Sequence, residues 1–261
     1  MKTPISYYGG KQSMLKHILP IIPEHHVYVE PFFGGGAVFF AKEPADVEII
    51  NDYNANVVNF YHQLKTNYKE LKKLIDATPY SRDVYKQAMV VYENPFIFRP
   101  EVRAWAFWVG TIQGFSNKIG SWRSSTTRSK EAKLNFNKKL LFDEVLSQRL
   151  DFVQIENKDA VELIKKQDTP ETFFYLDPPY VDSNQGHYGG YTQEHFNELI
   201  DTLKTIKGKF LMSSYPNEYL TAARTECSWF NDDKDMVLSA SRNSNKRKVE
   251  ALTANYDLKS V

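Results

Sequence analysis

Four residues stand together at Asp177, Pro178, Pro179 and Tyr180, directly after the apolar run Thr172–Leu176. A short β-branched and aromatic run of this kind reads as a buried strand. Asp177 then falls at its carboxyl end, where open α/β sheets bind their ligands. The two prolines cannot continue a strand ladder and hold the turn in one conformation. A carboxylate, a fixed backbone carbonyl and an aromatic face are thereby aimed into one crevice. This set suits an exocyclic amine on a flat heterocycle such as adenine. The lone pair of that amine is delocalised into the ring, so it is a poor nucleophile. Oxygens accepting both of its N–H bonds favour a pyramidal nitrogen and stabilise the charge that develops on alkylation. Tyr180 offers a stacking face. The chemistry needs no metal and no strong base, because the alkylated nitrogen is acidic and loses its proton readily. The plainer alternative is a strand-ending turn, since Asp-Pro-Pro is good loop chemistry.

A second constellation lies upstream. Val27–Glu30 reads as a strand that runs through Pro31, Phe32 and Phe33 into Gly34–Gly36, with an apolar helix start at Ala37–Ala41. Glycines between strand and helix let backbone approach a ligand without a Cβ clash. Asp52 ends the next strand, Val47–Asn51, where an acid can take a ribose hydroxyl pair. Phe39 stands where the third glycine of a dinucleotide fingerprint would be, which disfavours a pyrophosphate ligand and leaves a nucleoside without phosphates as the better fit.

These residues need a scaffold of alternating strands and helices. After Val47–Asn51, a helix is expected over Asn54–Lys65, and helical spacing continues through Leu71, Leu74 and Ile75 until Pro79. Alternation resumes with strand Phe152–Ile155, helix Ala160–Lys166, strand Thr172–Leu176, helix Gln193–Leu203 and strand Lys209–Ser213. The tail reads as a strand and a β-hairpin, at Trp229–Asn231, Met236–Ala240 and Val249–Tyr256, with a long basic loop. Between Tyr80 and Gln148 the alternation is lost. That segment shows helices near Val84–Tyr92 and Val102–Ile112, then a Gly/Ser/Arg-rich stretch, Gly114–Ser129. The pattern predicts an α/β fold with a mixed, mostly parallel sheet. It assigns residues 1–79 and 149–261 to a catalytic domain and 80–148 to a small inserted helical domain.

Composition sets outer bounds. With 42% hydrophobic and 25% charged residues among 261, the chain is average for a globular protein, which excludes disorder and low-complexity readings. No apolar stretch reaches the roughly 18 residues of a membrane span. The N-terminus lacks the apolar core of a signal peptide, so a cytoplasmic, intracellular enzyme without membrane contact is the expectation, and a monomer is expected in solution. The single Cys227 rules out an internal disulfide, and the 6 histidines show no ligand spacing, so no metal is expected.

The formal charge of +1 hides an asymmetry. From Tyr80 to Leu150 there are 12 Lys/Arg against 6 Asp/Glu, a net of +6, leaving 21 against 26, a net of −5, for the remainder. A basic segment on an acidic body suits a phosphate backbone. A second basic cluster, Arg242, Lys246, Arg247 and Lys248, is expected in a loop near the C-terminus.

Taken in order, Tyr7-Tyr-Gly-Gly-Lys-Gln-Ser, Phe32-Phe-Gly-Gly-Gly, Asn51 with Asp52, Gly114-Phe-Ser-Asn, Asp177-Pro-Pro-Tyr and the basic loop before Val249, Glu250, Ala251 and Leu252 resemble the α group of adenine-N6 DNA methyltransferases, the Dam-like D12 class. The resemblance spans nearly the whole chain. It implies a Rossmann-like fold, S-adenosylmethionine as methyl donor with S-adenosylhomocysteine as product, and double-stranded DNA as partner. Asp177, Pro178, Pro179 and Tyr180 would form the catalytic turn. Tyr7 and Lys11 would hold the methionine end of the cofactor, with Lys11 facing its carboxylate. Phe32 and Gly34 would line the methionine and ribose, Asp52 would bind the ribose hydroxyls, and Asp177 would border the same cofactor. Asp159 would accept from the cofactor's adenine amine, a role compatible with capping the helix at Ala160. The insertion would recognise DNA, through Phe115, Ser116, Asn117, Lys118, Trp122, Arg123 and Arg128, with Arg242, Lys246, Arg247 and Lys248 on phosphates. Core packing is the alternative for Phe115 and Trp122. Enzymes of the GATC type place a base-reading arginine shortly after the Gly114-Phe-Ser-Asn segment. Gly120 stands there in this chain, and Arg123 is the nearest substitute. RNA methylation, or a methylase core that only grips nucleic acid, are the alternatives to the DNA enzyme. Restriction–modification is the biological setting the family implies.

Overall fold

The computed structural model describes residues 1–124, 130–180, 190–237 and 247–259. In chain order the helices are α1 (Leu15–Ile18), α2 (Ala37–Ala41), α3 (Ala55–Thr66), α4 (Tyr68–Ala77), α5 (Arg82–Glu93), α6 (Pro100–Gln113), α7 (Lys130–Leu140), α8 (Glu144–Gln148), α9 (Ala160–Gln167), α10 (Gln193–Leu203) and α11 (Glu218–Glu226). The strands are β1 (Val27–Glu30), β2 (Val47–Asn51), β3 (Val153–Glu156), β4 (Thr172–Leu176), β5 (Lys209–Ser214), β6 (Phe230–Val237) and β7 (Arg247–Ala254). The chain divides into two compact units. The first comprises Met1–Gln12, Gly34–Lys42 and Asp52–Asn157, and the second Ser13–Phe33, Glu43–Asn51 and Lys158–Val261.

In the second unit six strands follow one another in the order β2-β1-β4-β5-β7-β6. The β1/β2, β1/β4 and β4/β5 pairs are parallel, whereas β7 runs antiparallel to both β5 and β6. This is the mixed, mostly parallel, Rossmann-like sheet that the alternation predicts. Its strand order reverses between β1 and β4, and that switch point is where such sheets open a crevice at the carboxyl ends of their strands. Every residue of β4 is buried. One side of the sheet contributes Val29, Phe174, Leu176, Phe210 and Met212 to a core with Leu163 and Ile164 of α9, Phe196, Leu199, Ile200 and Leu203 of α10, and Leu220 and Ala223 of α11. Those helices start where side chains satisfy their first amides. Asp159 Oδ1 accepts from Val161 and Glu162, Asn217 Oδ1 from Tyr219 and Leu220, and Thr192 forms a capping box with His195.

The first unit is largely helical around α6, whose buried residues include Phe107, Trp108, Val109 and Ile112. Phe107 touches the rings of Phe60, Tyr7 and Tyr92, and Phe60 touches that of Phe142. The segment expected as an insertion, 80–148, lies wholly within this unit. So do α3, α4, the glycine turn and Asp52.

The tail differs from expectation. Trp229–Asn231 and the start of Met236–Ala240 belong to one continuous strand, β6, and the hairpin partner β7 begins at Arg247. Arg247 and Lys248 therefore pair with Val237 and Met236 in the ladder instead of lying in a loop. Inter-strand backbone hydrogen bonds win here over the polar character of the sequence. Helices α1, α7, α8 and α11 were not anticipated. Among the described residues no helix is long and apolar enough to cross a membrane.

Candidate active site

In the second unit, β4 delivers Asp177 at the sheet's switch point, and Pro178 and Pro179 are buried behind it. The Tyr180 hydroxyl donates to Glu250 Oε1 at 2.5 Å, and the Tyr180 ring lies against Tyr215 with centroids 3.9 Å apart. Burial first, and then the charges of Asp177 and Glu250, push the Tyr180 phenol well above its ordinary range. It is a protonated donor and an aromatic surface, not a base. Tyr175, one turn of the pleat before Leu176, is pushed up in the same way by burial, then by Asp177, Glu30 and Glu250. On neighbouring β1 the Tyr28 hydroxyl donates to Glu30 Oε2 at 2.6 Å. Both are buried.

Asn51 ties this end of the sheet together. Its Nδ2 donates to the carbonyls of Pro31 at 2.9 Å and Lys158 at 3.1 Å, while its Oδ1 accepts from the Lys158 amide at 2.8 Å. One side chain thus fixes the loop after β1 against the loop that delivers Asp159. Phe32 meets Tyr191 edge-on, with ring centroids 6.2 Å apart. The Tyr191 hydroxyl is buried with no hydrogen-bond partner among the described residues. Burial and then the Asp159 charge raise its pKa. A buried phenol left without a partner costs about 1–3 kcal/mol and marks a place where a polar group fits.

In the first unit the glycine turn and Asp52 form one piece. Asp52 is 3% exposed, its Oδ2 accepts from the Gly34 amide and its Oδ1 from the Asn54 amide, both at 2.8 Å. Burial raises the carboxyl from 3.8 to about 6, against the opposing pull of those two amides. Asn157 Nδ2 holds the Asp52 carbonyl at 2.7 Å and that of Tyr53 at 3.2 Å, and the Tyr61 hydroxyl donates to the Gly34 carbonyl at 3.2 Å. Gly34 and Gly36 have φ of 48° and 64°, a region that favours glycine. Gly35 has a different reason. A Cβ there would sit 2.9 Å from Cβ of Tyr7, so its missing side chain makes room for Tyr7 and not for a ligand. Lys11 is 5% exposed, with Nζ 3.2 Å from the Gly9 carbonyl it donates to.

Within each unit, taken by itself, the donors and acceptors present suit part of an adenosyl group. Asp52 is a buried carboxylate whose two oxygens each use one lone pair on backbone and can each accept from a hydroxyl. The orphaned Tyr191 hydroxyl, the Phe32 edge and Asp159 supply a polar atom, an aromatic wall and an acceptor. Among the described residues no group of three or more His, Cys, Asp or Glu could hold a metal.

The expected DNA-facing residues behave unequally. Phe115 is 61% exposed and opens a tight turn in which Ser116 and Asn117 adopt φ of 55° and 59°. The turn is closed by Phe115 N to Ser121 O at 2.7 Å and Lys118 N to Phe115 O at 3.0 Å. Gly114 is required beneath it, because a Cβ would meet the Lys118 carbonyl at 2.1 Å. The Lys118 ammonium lies over the Tyr8 ring at 4.1 Å. Trp122 packs instead: Tyr80 lies 5.2 Å from its ring, and the Arg82 guanidinium caps it at 4.7 Å. Arg123, the expected base reader, is turned inward. Its guanidinium donates to the Ile112 carbonyl at the end of α6 at 2.6 Å, its amide bonds Gln113, and its carbonyl accepts from Tyr80. The last carbonyls of a helix lack intrahelical partners, and one of them holds this guanidinium in place of solvent. Arg128, Arg242 and Lys246 lie outside the described residues. Sequence reasoning missed Glu250 and Tyr215 as partners of Tyr180, and Tyr191 beside Phe32.

A Rossmann-like sheet with an Asp-Pro-Pro-Tyr turn at its switch point in one unit, and a glycine turn with a buried acid in the other, are the features of an enzyme of the α/β methyltransferase class. Over residues 7–248 the sequence matches the D12 class N6 adenine-specific DNA methyltransferases, and the chain belongs to that family. It is 28% identical over 238 residues to the Type II methyltransferase M1.LlaDCHI of Lactococcus lactis subsp. cremoris, covering 79% of this chain and 78% of that protein. It is 42% identical over 67 residues to the DNA N-6-adenine-methyltransferase of Escherichia phage P1, covering 26% of this chain and 8% of the phage protein. The Modification methylase StsI of Streptococcus sanguinis is 24% identical over 201 residues, 69% of this chain and 29% of its own. This chain thus spans most of the first relative and under a third of the other two.

Proposed function

We propose that this protein transfers a methyl group from S-adenosylmethionine to the N6 amine of an adenine in a specific sequence of double-stranded DNA. The observation that carries the reading is the Asp177–Tyr180 turn at the switch point of the sheet, in a chain of this family. When bound, S-adenosylmethionine supplies a methyl group on a sulfonium. Asp52 takes its ribose hydroxyls, Lys11 its carboxylate, Asp159 its adenine amine, and Tyr7, Phe32 and Gly34 line it. Asp177 and a backbone carbonyl of the Pro178–Pro179 turn accept the N–H bonds of the target amine and favour the pyramidal nitrogen that can attack. Tyr180 stacks on the base. The amine is out of reach inside a duplex, so the target base rotates out of the stack to enter the site. The 80–148 segment recognises the DNA, with the turn of exposed Phe115 and Ser116 and half-buried Asn117 as its reading edge and Lys118 and the basic residues near β7 on phosphates. Arg123 and Trp122 support that turn from behind.

The test measures methyl incorporation into duplex DNA, single-stranded DNA and RNA of matched sequence, with the modified base identified. Label at adenine N6 of duplex DNA is the expected result, with Asp177→Ala slowing turnover by about 10²–10³-fold or more while cofactor binding by calorimetry survives. Label confined to RNA would establish the RNA enzyme in its place. Near wild-type turnover in Asp177→Ala would reduce Asp177 to a turn residue.

A further inference from the structure

Tyr180 reaches its place through a residue that no part of the proposed reaction assigns. Glu250 stands on β7, 8% exposed, and its Oε1 accepts from two hydroxyls, that of Tyr180 at 2.5 Å and that of Ser213 on β5. The Tyr180 ring also leans on Tyr215, which follows β5, with ring centroids 3.9 Å apart and planes 33° apart. A tyrosine side chain turns about two torsions. An anchor on its hydroxyl and a ring against one face leave neither torsion free. The anchor is itself rigid. β7 pairs with β5 on one side, through Ser213 and Leu252 and through Ser214 and Ala251, and with β6 on the other, through Glu250 and Lys234. Tyr215 occupies one of the two faces of Tyr180.

We propose that Glu250 is a positioning residue for the target base: by holding the Tyr180 hydroxyl it sets the tilt of the aromatic ring on which the adenine lies, with Tyr215 as its backing. The assignment rests on the reading of Asp177–Tyr180 as the site of transfer to adenine. A carboxylate buried here purely for stability would affect the amount of folded protein. A positioning carboxylate affects the rate per folded molecule, and it does so through Tyr180.

The experiment is a double-mutant cycle on the full-length protein with Glu250→Ala, Tyr180→Phe and the double variant, together with Glu250→Gln. Single-turnover methyl transfer to duplex DNA is read per folded molecule, folding being followed by circular dichroism. The fluorescence of 2-aminopurine in place of the methylated adenine reports stacking of the extruded base. Glu250→Ala and Tyr180→Phe should each slow transfer by about 10- to 100-fold, the range for a misplaced reacting group. The double variant should be no slower than the worse single, because both remove the same bond. Glu250→Gln keeps an oxygen that accepts from the phenol and should recover most of the rate. In each slowed variant 2-aminopurine should become brighter, as its stack on Tyr180 loosens. Additive losses, or a Glu250→Ala protein with unchanged rate and fluorescence per folded molecule, would show a purely structural acid and overturn the assignment. A wild-type protein that methylates no adenine in DNA would instead overturn the functional reading, and this assignment with it.

Discussion

Asp52 gives a prediction whose sign follows from burial. Its carboxyl is 3% exposed and raised from 3.8 to about 6, chiefly by desolvation. At 1.36 kcal/mol per pH unit this rise favours the neutral form by about 3 kcal/mol relative to the unfolded chain. The charged group therefore lowers stability above about pH 6, and that cost disappears as pH falls towards 3.8. Ligand binding should respond in the opposite sense. If ribose hydroxyls donate to Asp52, they favour the carboxylate, and a protein protonated there must first lose the proton. One pH unit below a pKa only about a tenth of the groups are charged, so affinity for S-adenosylmethionine should fall about tenfold between pH 7 and pH 5. A charge-assisted hydrogen bond is worth about 1.5–3 kcal/mol, so the loss is not capped before that point. Isothermal titration of the cofactor from pH 5 to pH 8 is the assay, with Asp52→Asn beside the wild type. Asparagine can accept from only one of the Gly34 and Asn54 amides, so thermal unfolding of the variant is followed in parallel. The variant should bind weakly and without this pH dependence. An equal slope in Asp52→Asn, or a flat wild-type curve, would refute the assignment of Asp52 to the ribose.

Two further substitutions test the supporting structure. Arg123→Ala removes the bond to the Ile112 carbonyl at 2.6 Å and should lower stability by about 1.5–3 kcal/mol in denaturant unfolding; a stable variant that loses only discrimination between single-base DNA variants would restore Arg123 as a base reader. Gly35→Ala places a Cβ 2.9 Å from that of Tyr7, two atoms with no flexible end to move, and should cost about 1–3 kcal/mol while weakening cofactor binding through a displaced Tyr7. Unchanged unfolding and cofactor titrations would show that Tyr7 does not depend on this packing.

The strands that carry the site were legible because they are buried on both faces and read as short apolar runs: β1, β2 and β4 fall at Val27–Glu30, Val47–Asn51 and Thr172–Leu176 as expected. The Asp177 turn followed from them. Other elements left weaker traces. β6 carries Asp232, Asp233, Lys234 and Asp235 in succession, so no apolar alternation marks it. It is the edge of the sheet, where charge blocks pairing with foreign strands and hydrophobicity is not required. α7 buries Asn135, held by Gln113 Nε2 at 3.3 Å, so its packing face is polar and its period faint. α11 did carry a start signal in Asn217, whose side chain caps it. Within the site, residue types were readable and partners were not. Arg123 had the right chemistry for a base edge, but the free end of α6 beside it claimed the side chain. Gly35 looked like room for a ligand and is room for Tyr7. Glu250 lies far along the chain from Tyr180, and only the sheet brings the two together.

The pKa shifts in the second unit also bear on the proposed chemistry. Tyr175 and Tyr180 are raised by burial and, after it, by the charges of Asp177 and Glu250, with Glu30 adding to Tyr175. Burial is the main reason these phenols resist ionising, and the neighbouring carboxylates add to it as negative charge in a region poor in water. That charge acts with the opposite sign on a cation. Methyl transfer to a neutral amine moves positive charge onto nitrogen before its proton leaves, and a site preorganised with carboxylates stabilises that charge without having to reorient. Protonated tyrosines there can donate and stack but cannot take the proton, which leaves the acceptor role to Asp177 and to solvent. The arrangement thus separates three tasks among residues at one end of the sheet's strands. Glu30 and Glu250 hold phenols in place, the phenols stay neutral, and in the proposed reaction Asp177, at the end of β4, is the acid that meets the amine.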